Sequence, residues 1–371
     1  MRIAIITVQR VTNYGALLQA FATHHIFSEH GEVNVIDYDN PYLTSHMNLI
    51  RFKWSIRGFK MFAHDFFNLK NRIVLIKKFN IFIDKYLQLT PKANTKDLEN
   101  GKIHGYDLYV SGSDQIWNPG IISQNNTIDP IYFLSFVEPG SKKVSYASSM
   151  GNHEFSSEES TKVKELLRDF KAISVREKEG VEFLRGLLKE KTVSQVLDPT
   201  LLLDKSKWLR ALNVEANNHL PTIGEYILVY SVPRTKLLRK AIVYFSEKFG
   251  MPVVAIDKML KPMQGVTKSI KSAGPEDYIS LFANASFVIT DSFHGTCFSV
   301  NFEKPFVCIP ATKRANRQEG LLDSLGLIDR IIYREEDFWN IGKDMAFESA
   351  SVKLKNLRKQ SLEFIERAIA P

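Results

Sequence analysis

Cysteine is scarce: Cys297 and Cys308 are the only two in 371 residues, too few for a disulfide framework and suited to a reducing cytoplasm. Long hydrophobic runs are missing too. No stretch approaches the roughly 20 apolar residues of a membrane-spanning helix, and Ile3-Ala4-Ile5-Ile6 behind Met1-Arg2 is too short for the core of a signal peptide. The G-x-G-x-x-G fingerprint of dinucleotide enzymes is absent, which with the lack of cysteine ligands disfavours redox chemistry. The one metal-like motif, Asp37-Tyr38-Asp39, reads better as the end of a strand, so neither a metal nor a cofactor is expected. There is no internal repeat and no low-complexity segment.

What is present is an ordinary globular composition, 44% hydrophobic and 24% charged. The length exceeds what one hydrophobic core usually serves, so two domains are expected. The net charge of +8 is unevenly spread: residues 51–87 hold nine Lys/Arg against two Asp. Phe52, Trp54, Phe59, Phe62, Phe66, Phe67, Phe79 and Phe82 are interleaved with those cations, the pattern of amphipathic helices. The plainer expectation is a pair of helices with core aromatics and solvated lysines. The alternative is a surface for anionic lipid headgroups or an acidic substrate, which would put the protein at the inner face of the cytoplasmic membrane. Nucleic acid is not an expected partner, because the rest of the chain is nearly neutral.

Strands and helices alternate along the chain. Strands are expected at 2–8, 33–38, 107–110, 143–147, 172–175 and 193–197, with helices over 13–27 and 158–170, the latter opened by a capping box at Ser156 and Glu159. A polar stretch, 213–218, closed by Pro221, reads as the linker. A second unit follows: strands at 226–231, 252–256, 287–289 and 306–309, helices at 236–248 and 275–283, and a helix after 289. Pro275 with Glu276 and Asp277 is a good helix start. The pattern predicts an α/β protein of two Rossmann-like domains facing a cleft. The first covers 1–212, with the basic aromatic insert 51–87, and the second 221–350; a helix in 351–371 packs back across them.

The loops after the strands carry the chemistry. Residues 286–301 place an apolar strand before Asp291, Ser292, His294, Gly295 and Thr296, at the sheet edge where open α/β folds bind ligands. Gly295 would let a ligand approach the backbone, and the following helix start would offer N–H groups to an anion. A core histidine with backbone partners is the competing reading of His294. Cys297 is expected to be a buried helix residue. Asn13, Tyr14 and Gly15 open the first helix, as a ligand turn or as plain turn chemistry. Ser113, Asp114, Gln115, Trp117 and Asn118 form a polar platform with an aromatic wall, as saccharide sites have, or a capped turn over a core tryptophan. Ser148 lies in a run of small hydroxyl residues with room for a ligand. Arg176 suits a carboxylate or phosphate clamp, or else a surface pair with Glu177 or Glu179. Lys313, Arg314 and Arg317 precede a helix and would converge on an anion there, unless they form a solvated loop.

The ordered set Gly112 to Pro119, Ser145-Tyr146-Ala147, Ser174-Val175-Arg176-Glu177, Asp198-Pro199-Thr200 and Asp291 to Thr296 resembles the motifs of polysaccharide pyruvyltransferases, over roughly residues 13–322. The resemblance implies a glycosyltransferase-B-like (GT-B-like) fold and transfer of pyruvate from phosphoenolpyruvate to two sugar hydroxyls as a cyclic ketal. It also implies that Arg176 and His294 are donor-binding residues. Many members carry Arg-Leu-His-Gly where this chain has Ser292-Phe293-His294-Gly295; Lys304, Arg314 and Arg317 are expected to replace that cation.

With this chemistry, His294 is assigned as general acid/base. Asp114 would orient or deprotonate an acceptor hydroxyl. Arg176, Ser292, Gly295, Thr296, Lys304, Arg314 and Arg317 fall on the donor side, and Asn13, Tyr14, Gly15, Ser113, Gln115, Trp117, Asn118 and Ser148 on the acceptor side. The expected acceptor is a capsule or exopolysaccharide precursor, perhaps lipid-pyrophosphate-linked. A nucleotide-sugar glycosyltransferase of the same architecture and a non-catalytic carbohydrate-binding protein remain alternatives, distinguished by the identity of the donor and by the effect of losing His294.

Overall fold

The computed structural model of the chain describes residues 1–52, 54–214, 224–311 and 315–370. Lys313 and Arg314 lie outside these, as does most of the expected linker. Two compact units form: Met1–Met47, Ile83–Leu202 and Asn356–Pro371 make the first, Asn48–Phe82 and Leu203–Lys355 the second.

In chain order the elements are β1 (Arg2–Ile6), α1 (Tyr14–Phe27), β2 (Glu32–Val35), α2 (Pro41–Thr44), α3 (Ile56–Phe67), α4 (Leu69–Tyr86) and α5 (Thr95–Glu99). Then come β3 (Leu108–Ser111), α6 (Pro119–Ile122), β4 (Lys142–Ser145), α7 (Ser157–Leu167), β5 (Phe170–Val175), α8 (Lys178–Leu187), β6 (Val193–Gln195) and α9 (Lys205–Ala211). The second half adds β7 (Ile227–Tyr230), α10 (Lys236–Phe249), β8 (Val253–Ile256), β9 (Lys268–Ile270), α11 (Pro275–Asn284) and β10 (Phe287–Thr290). It ends with α12 (Phe293–Asn301), β11 (Phe306–Cys308), α13 (Asn316–Leu325) and α14 (Glu348–Ile369).

All strand pairs are parallel. The first sheet has the order β2-β1-β3-β4-β5-β6 and the second β11-β10-β7-β8-β9. The central strands are buried at every position, Leu108–Ser111 and Phe287–Thr290 among them, because helices cover both faces of a parallel sheet. Each buried Val, Ile or Leu then adds roughly 1.5–3 kcal/mol. In each sheet the order reverses beside the first strand, between β1 and β3 and between β7 and β10. A ligand crevice lies at such a reversal, outside the carboxyl ends of the strands.

Three expectations change. The insert was assigned to the first domain; residues 48–82 belong to the second unit instead. His64 Nε2 lies 3.2 Å from the carbonyl of Lys258, Asn68 donates to the same carbonyl at 2.8 Å, and Lys78 pairs with Asp277 at 2.6 Å. The division falls at Leu202/Leu203, earlier than 212, since Trp208 of α9 packs edge-on against Phe298 and Asn301 donates to the Leu203 carbonyl. β9 was missed because its three residues carry one apolar side chain, Ile270, too little for a strand pattern. The capping box of α7 is present, with Glu159 N–H on Ser156 and Ser156 N–H on Glu159. The end of the last helix, Asn356–Pro371, belongs to the first unit: Leu197 N–H donates to Ser361 Oγ at 3.0 Å.

Candidate active site

The crevice of the second sheet opens between the ends of β7 and β10, and a carboxylate bridges it. Asp291, one residue past β10, accepts from the Ser231 hydroxyl and from the Val232 N–H at 2.8 Å. Beneath it Thr290 Oγ1 donates to the Tyr230 carbonyl at 2.7 Å. Burial outweighs the hydrogen bonds and raises the Asp291 pKa above the ordinary carboxylate value. Ser292 caps α12, its side chain accepting from Gly295 N–H at 3.4 Å. That puts His294 in the first turn of α12, buried, its ring 5.3 Å from that of Phe293.

From the other side comes α13. Gln318 donates to the Asp291 carbonyl at 3.2 Å, and the guanidinium of Arg317 lies 5.6 Å from the centre of the Phe293 ring. The second unit therefore gathers Ser231, Asp291, Ser292, His294, Arg317 and Gln318 at one strand-order reversal. Two helix starts, with their partial positive charge, flank them.

Not every donor-side expectation survives. Gly295 makes no room for a ligand: a Cβ there would sit 2.2 Å from Thr290 Oγ1, so the glycine lets α12 press onto β10. Thr296 is fully buried and donates to the Ser292 carbonyl. Lys304 is misplaced for the role given to it. It follows the carboxyl end of α12 and precedes β11, at the opposite edge of the sheet from Asp291, roughly 15 Å along the helix from His294. Burial, with Lys205 nearby, pushes its pKa down to about 8.

Arg176 is a structural cation of the first unit. Its Nη1 meets Asp198 at 2.6 Å, its Nε meets Glu177 at 2.9 Å, and Nη2 lies 3.9 Å from Asp114. Burial opposes the charge, but these three carboxylates outweigh it and raise the pKa. The side chain is 3% exposed, so it is neither a surface pair nor an open clamp. Glu177 and Asp198 are the partners that sequence reading passed over. Spacing could not reveal Asp198, which lies one strand further on.

The platform of the first unit is mostly core. Trp117 is fully buried, stacked 4.9 Å from Phe133, and its indole N–H reaches Ser111 Oγ at 3.1 Å. Ser113 donates to the Ala147 carbonyl and Ser148 to that of Gly112, and both are fully buried. Tyr14 and Gly15 are buried in α1, behind the exposed cap Asn13, which accepts from Ala16 N–H at 3.3 Å. Asn118 caps α6 and donates to Gln115 at 2.9 Å.

What stays accessible in that loop is Asp114 and Gln115. Asp114 adopts a left-handed backbone, φ 69°, a strained conformation for a non-glycine residue that its carbonyl's bonds to Ile116 and Ser149 N–H hold in place. Of the Asp37-Tyr38-Asp39 motif, Asp37 is held bidentately by Arg10 and Asp39 pairs with Lys92 at 3.0 Å.

Two parallel sheets of Rossmann-like order define a GT-B-like α/β protein. A UDP-N-acetylglucosamine 2-epimerase matches over 99% of this chain and 94% of its own, at 12% identity and a TM-score of 0.51. The Rickettsia bellii UDP-N-acetylglucosamine 2-epimerase matches over 99% and 98%, at 10% identity and 0.50. E. coli heptosyltransferase WaaC is also similar, over 86% and 96%, at 10% identity and 0.39. At such identities the likeness concerns the fold alone. No curated protein sequence matches. The model of the polysaccharide pyruvyl transferase family matches residues 13–311. The chain belongs to that family and is a transferase.

Proposed function

We propose that the protein transfers the pyruvyl group of phosphoenolpyruvate to two hydroxyls of a sugar, as a cyclic ketal, in the synthesis of a capsule, exopolysaccharide or other surface glycan. The observation that carries this reading is the gathering of His294, Asp291 and Arg317 at the crevice of the second sheet, in a chain of this family. An anionic donor suits a site flanked by two helix starts and an arginine.

His294, as imidazolium, gives its proton to C3 of phosphoenolpyruvate, which makes C2 electrophilic. The first acceptor hydroxyl adds to C2, phosphate leaves from C2, and the second hydroxyl closes the ketal. Of the two hydroxyl protons, one restores His294 and the other leaves with phosphate. Arg317 holds the donor anion, with Arg314 assigned beside it by sequence, and Ser292 keeps the first turn of α12 formed. Asp291 is a positioning residue that ties the β7 and β10 loops together. In this reading Asp114 orients an acceptor hydroxyl, with Gln115 and Asn13 as further acceptor contacts.

The test is phosphate release from phosphoenolpyruvate across galactose-, glucose- and N-acetylmannosamine-containing acceptors, free and lipid-pyrophosphate-linked. Acceptor-dependent release is expected, with a product heavier by one pyruvyl group and loss of both in His294→Ala. Turnover of a nucleotide sugar, with phosphoenolpyruvate untouched, would replace this reading with a glycosyltransferase.

A further inference from the structure

Helix α3 is folded with its apolar side outward. Ile56, Phe59, Phe62, Phe66 and Phe67 are exposed, at 39–80%, and Trp54 just before the helix is 89% exposed. The side turned inward carries Gly58, Asp65 and the following Asn68, all buried. Asp65 is fully buried and held bidentately by Arg51 at 2.7 and 2.8 Å, with Arg72 at 3.4 Å. Burial alone would raise its pKa, yet Arg51, His64 and Arg72 hold it low. Arg72 also donates to the carbonyls of Leu49 and Asn48. The polar anchor fixes the helix, so the aromatic face is a built feature of the fold. The expected helix pair with core aromatics is thus half right: Phe79 and Phe82 of α4 are core, while the aromatics from Phe52 to Phe67 are not.

The exposed rings form one band. Phe52 lies 5.1 Å from Trp54, 5.3 Å from Phe59 and 6.0 Å from Phe62; Phe62 is 6.3 Å from Phe66, and Phe66 5.7 Å from Phe67. Helix α4 adds exposed Ile73, Val74 and Ile81, spaced between exposed Lys70 and Lys77. Lys60 stands beside Phe59 on α3 and is also exposed. A contiguous apolar surface of this kind marks an interaction site, and its basic border decides the partner. A second copy would bring two strongly basic faces together, whereas an anionic bilayer complements them. Aromatic rings settle at the depth of the headgroups, and lysines reach from apolar surroundings to the phosphates.

We propose that residues 49–81, with α3 at their centre, dock the protein on the surface of an anionic lipid bilayer. The rings enter the headgroup layer while Lys60, Lys70 and Lys77 contact lipid phosphates. Because the insert is tied to the Lys258 carbonyl and to Asp277, docking holds the second unit at the bilayer. Docking requires no turnover, so its failure and that of the transfer chemistry are separately visible.

The experiment is flotation of the full chain with vesicles of phosphatidylcholine alone or mixed with phosphatidylglycerol, at low and high salt. The expected result is binding to the mixed vesicles only, weakened by salt. Trp54→Ser/Phe59→Ser/Phe67→Ser should abolish it. Lys60→Glu/Lys70→Glu/Lys77→Glu should weaken it by roughly 100-fold, at about one factor of five to ten per charge. Equal binding by both variants, or no binding to mixed vesicles at low salt, overturns the proposal. So does a dimer of the wild type that the serine variant dissolves, which would make the face an interface between copies.

Discussion

Removing the guanidinium of Arg176 would leave Asp198 and Glu177 buried without their cation, the costly way to break a buried pair. Arg176→Ala is therefore expected to lose about 3–5 kcal/mol of stability, seen as a much lower melting temperature or insoluble expression. A donor clamp would instead raise KM in a folded protein. Lys304 gives the opposite case. Its folded pKa of about 8 lies below the roughly 10.4 of an unfolded lysine, so the folded state releases the proton more readily. The resulting penalty is complete below pH 8 and fades as pH rises toward 10.4. Lys304→Met should raise the melting temperature by roughly 2–4 °C at pH 7, lose that gain near pH 10.4, and leave phosphoenolpyruvate turnover intact. At the site, His294→Gln should cut turnover by about 10²–10⁴-fold, the usual contribution of a general acid/base.

At the scale of the element, α12 depends on its first turn and on its contact with β10. Ser292→Ala removes the cap and should cost about 1 kcal/mol, measured by denaturant unfolding. Gly295→Ala drives a methyl into Thr290, which also anchors the Tyr230 carbonyl. Roughly 1–3 kcal/mol of overpacking is expected, with a loss of activity out of proportion to it, because Asp291 and His294 move with the strand and the helix. The serine at 292, where many family members carry arginine, is thus a cap, and Arg317 on α13 is the described cation beside the Phe293-His294 pair.

At the scale of the whole molecule, neither unit is a continuous stretch of chain. The second needs residues 48–82, whose Phe79 and Phe82 are fully buried. A fragment of residues 203–355 should accordingly be insoluble or poorly folded alone. Co-expression with a fragment carrying residues 48–82 should improve its solubility and give it a cooperative circular-dichroism melt. A soluble, cooperatively melting 203–355 fragment would show the insert to be dispensable. The shared history of the two sheets, each reversing strand order beside its first strand, puts reactive loops at a predictable edge in both.

The sequence alone determined what is periodic and local. Apolar runs announced ten of the eleven strands of the sheets, because a parallel strand covered on both faces must be apolar throughout. Ser156 with Glu159 announced a cap, and the motif set announced the family. His294 was legible because it stands at a strand-to-helix turn. What only the tertiary structure decided is which side chains meet across distance and which face water. Arg176 finds Asp198 rather than a ligand, Trp117 stacks in the core, and Lys304 sits at the wrong edge of the sheet. Ser231 reaches Asp291 across 60 residues, and a buried Asp65 turns an aromatic helix face outward. Pair spacing in sequence carries no information about such contacts, because burial and charge compensation are set by elements that join only when the sheets assemble.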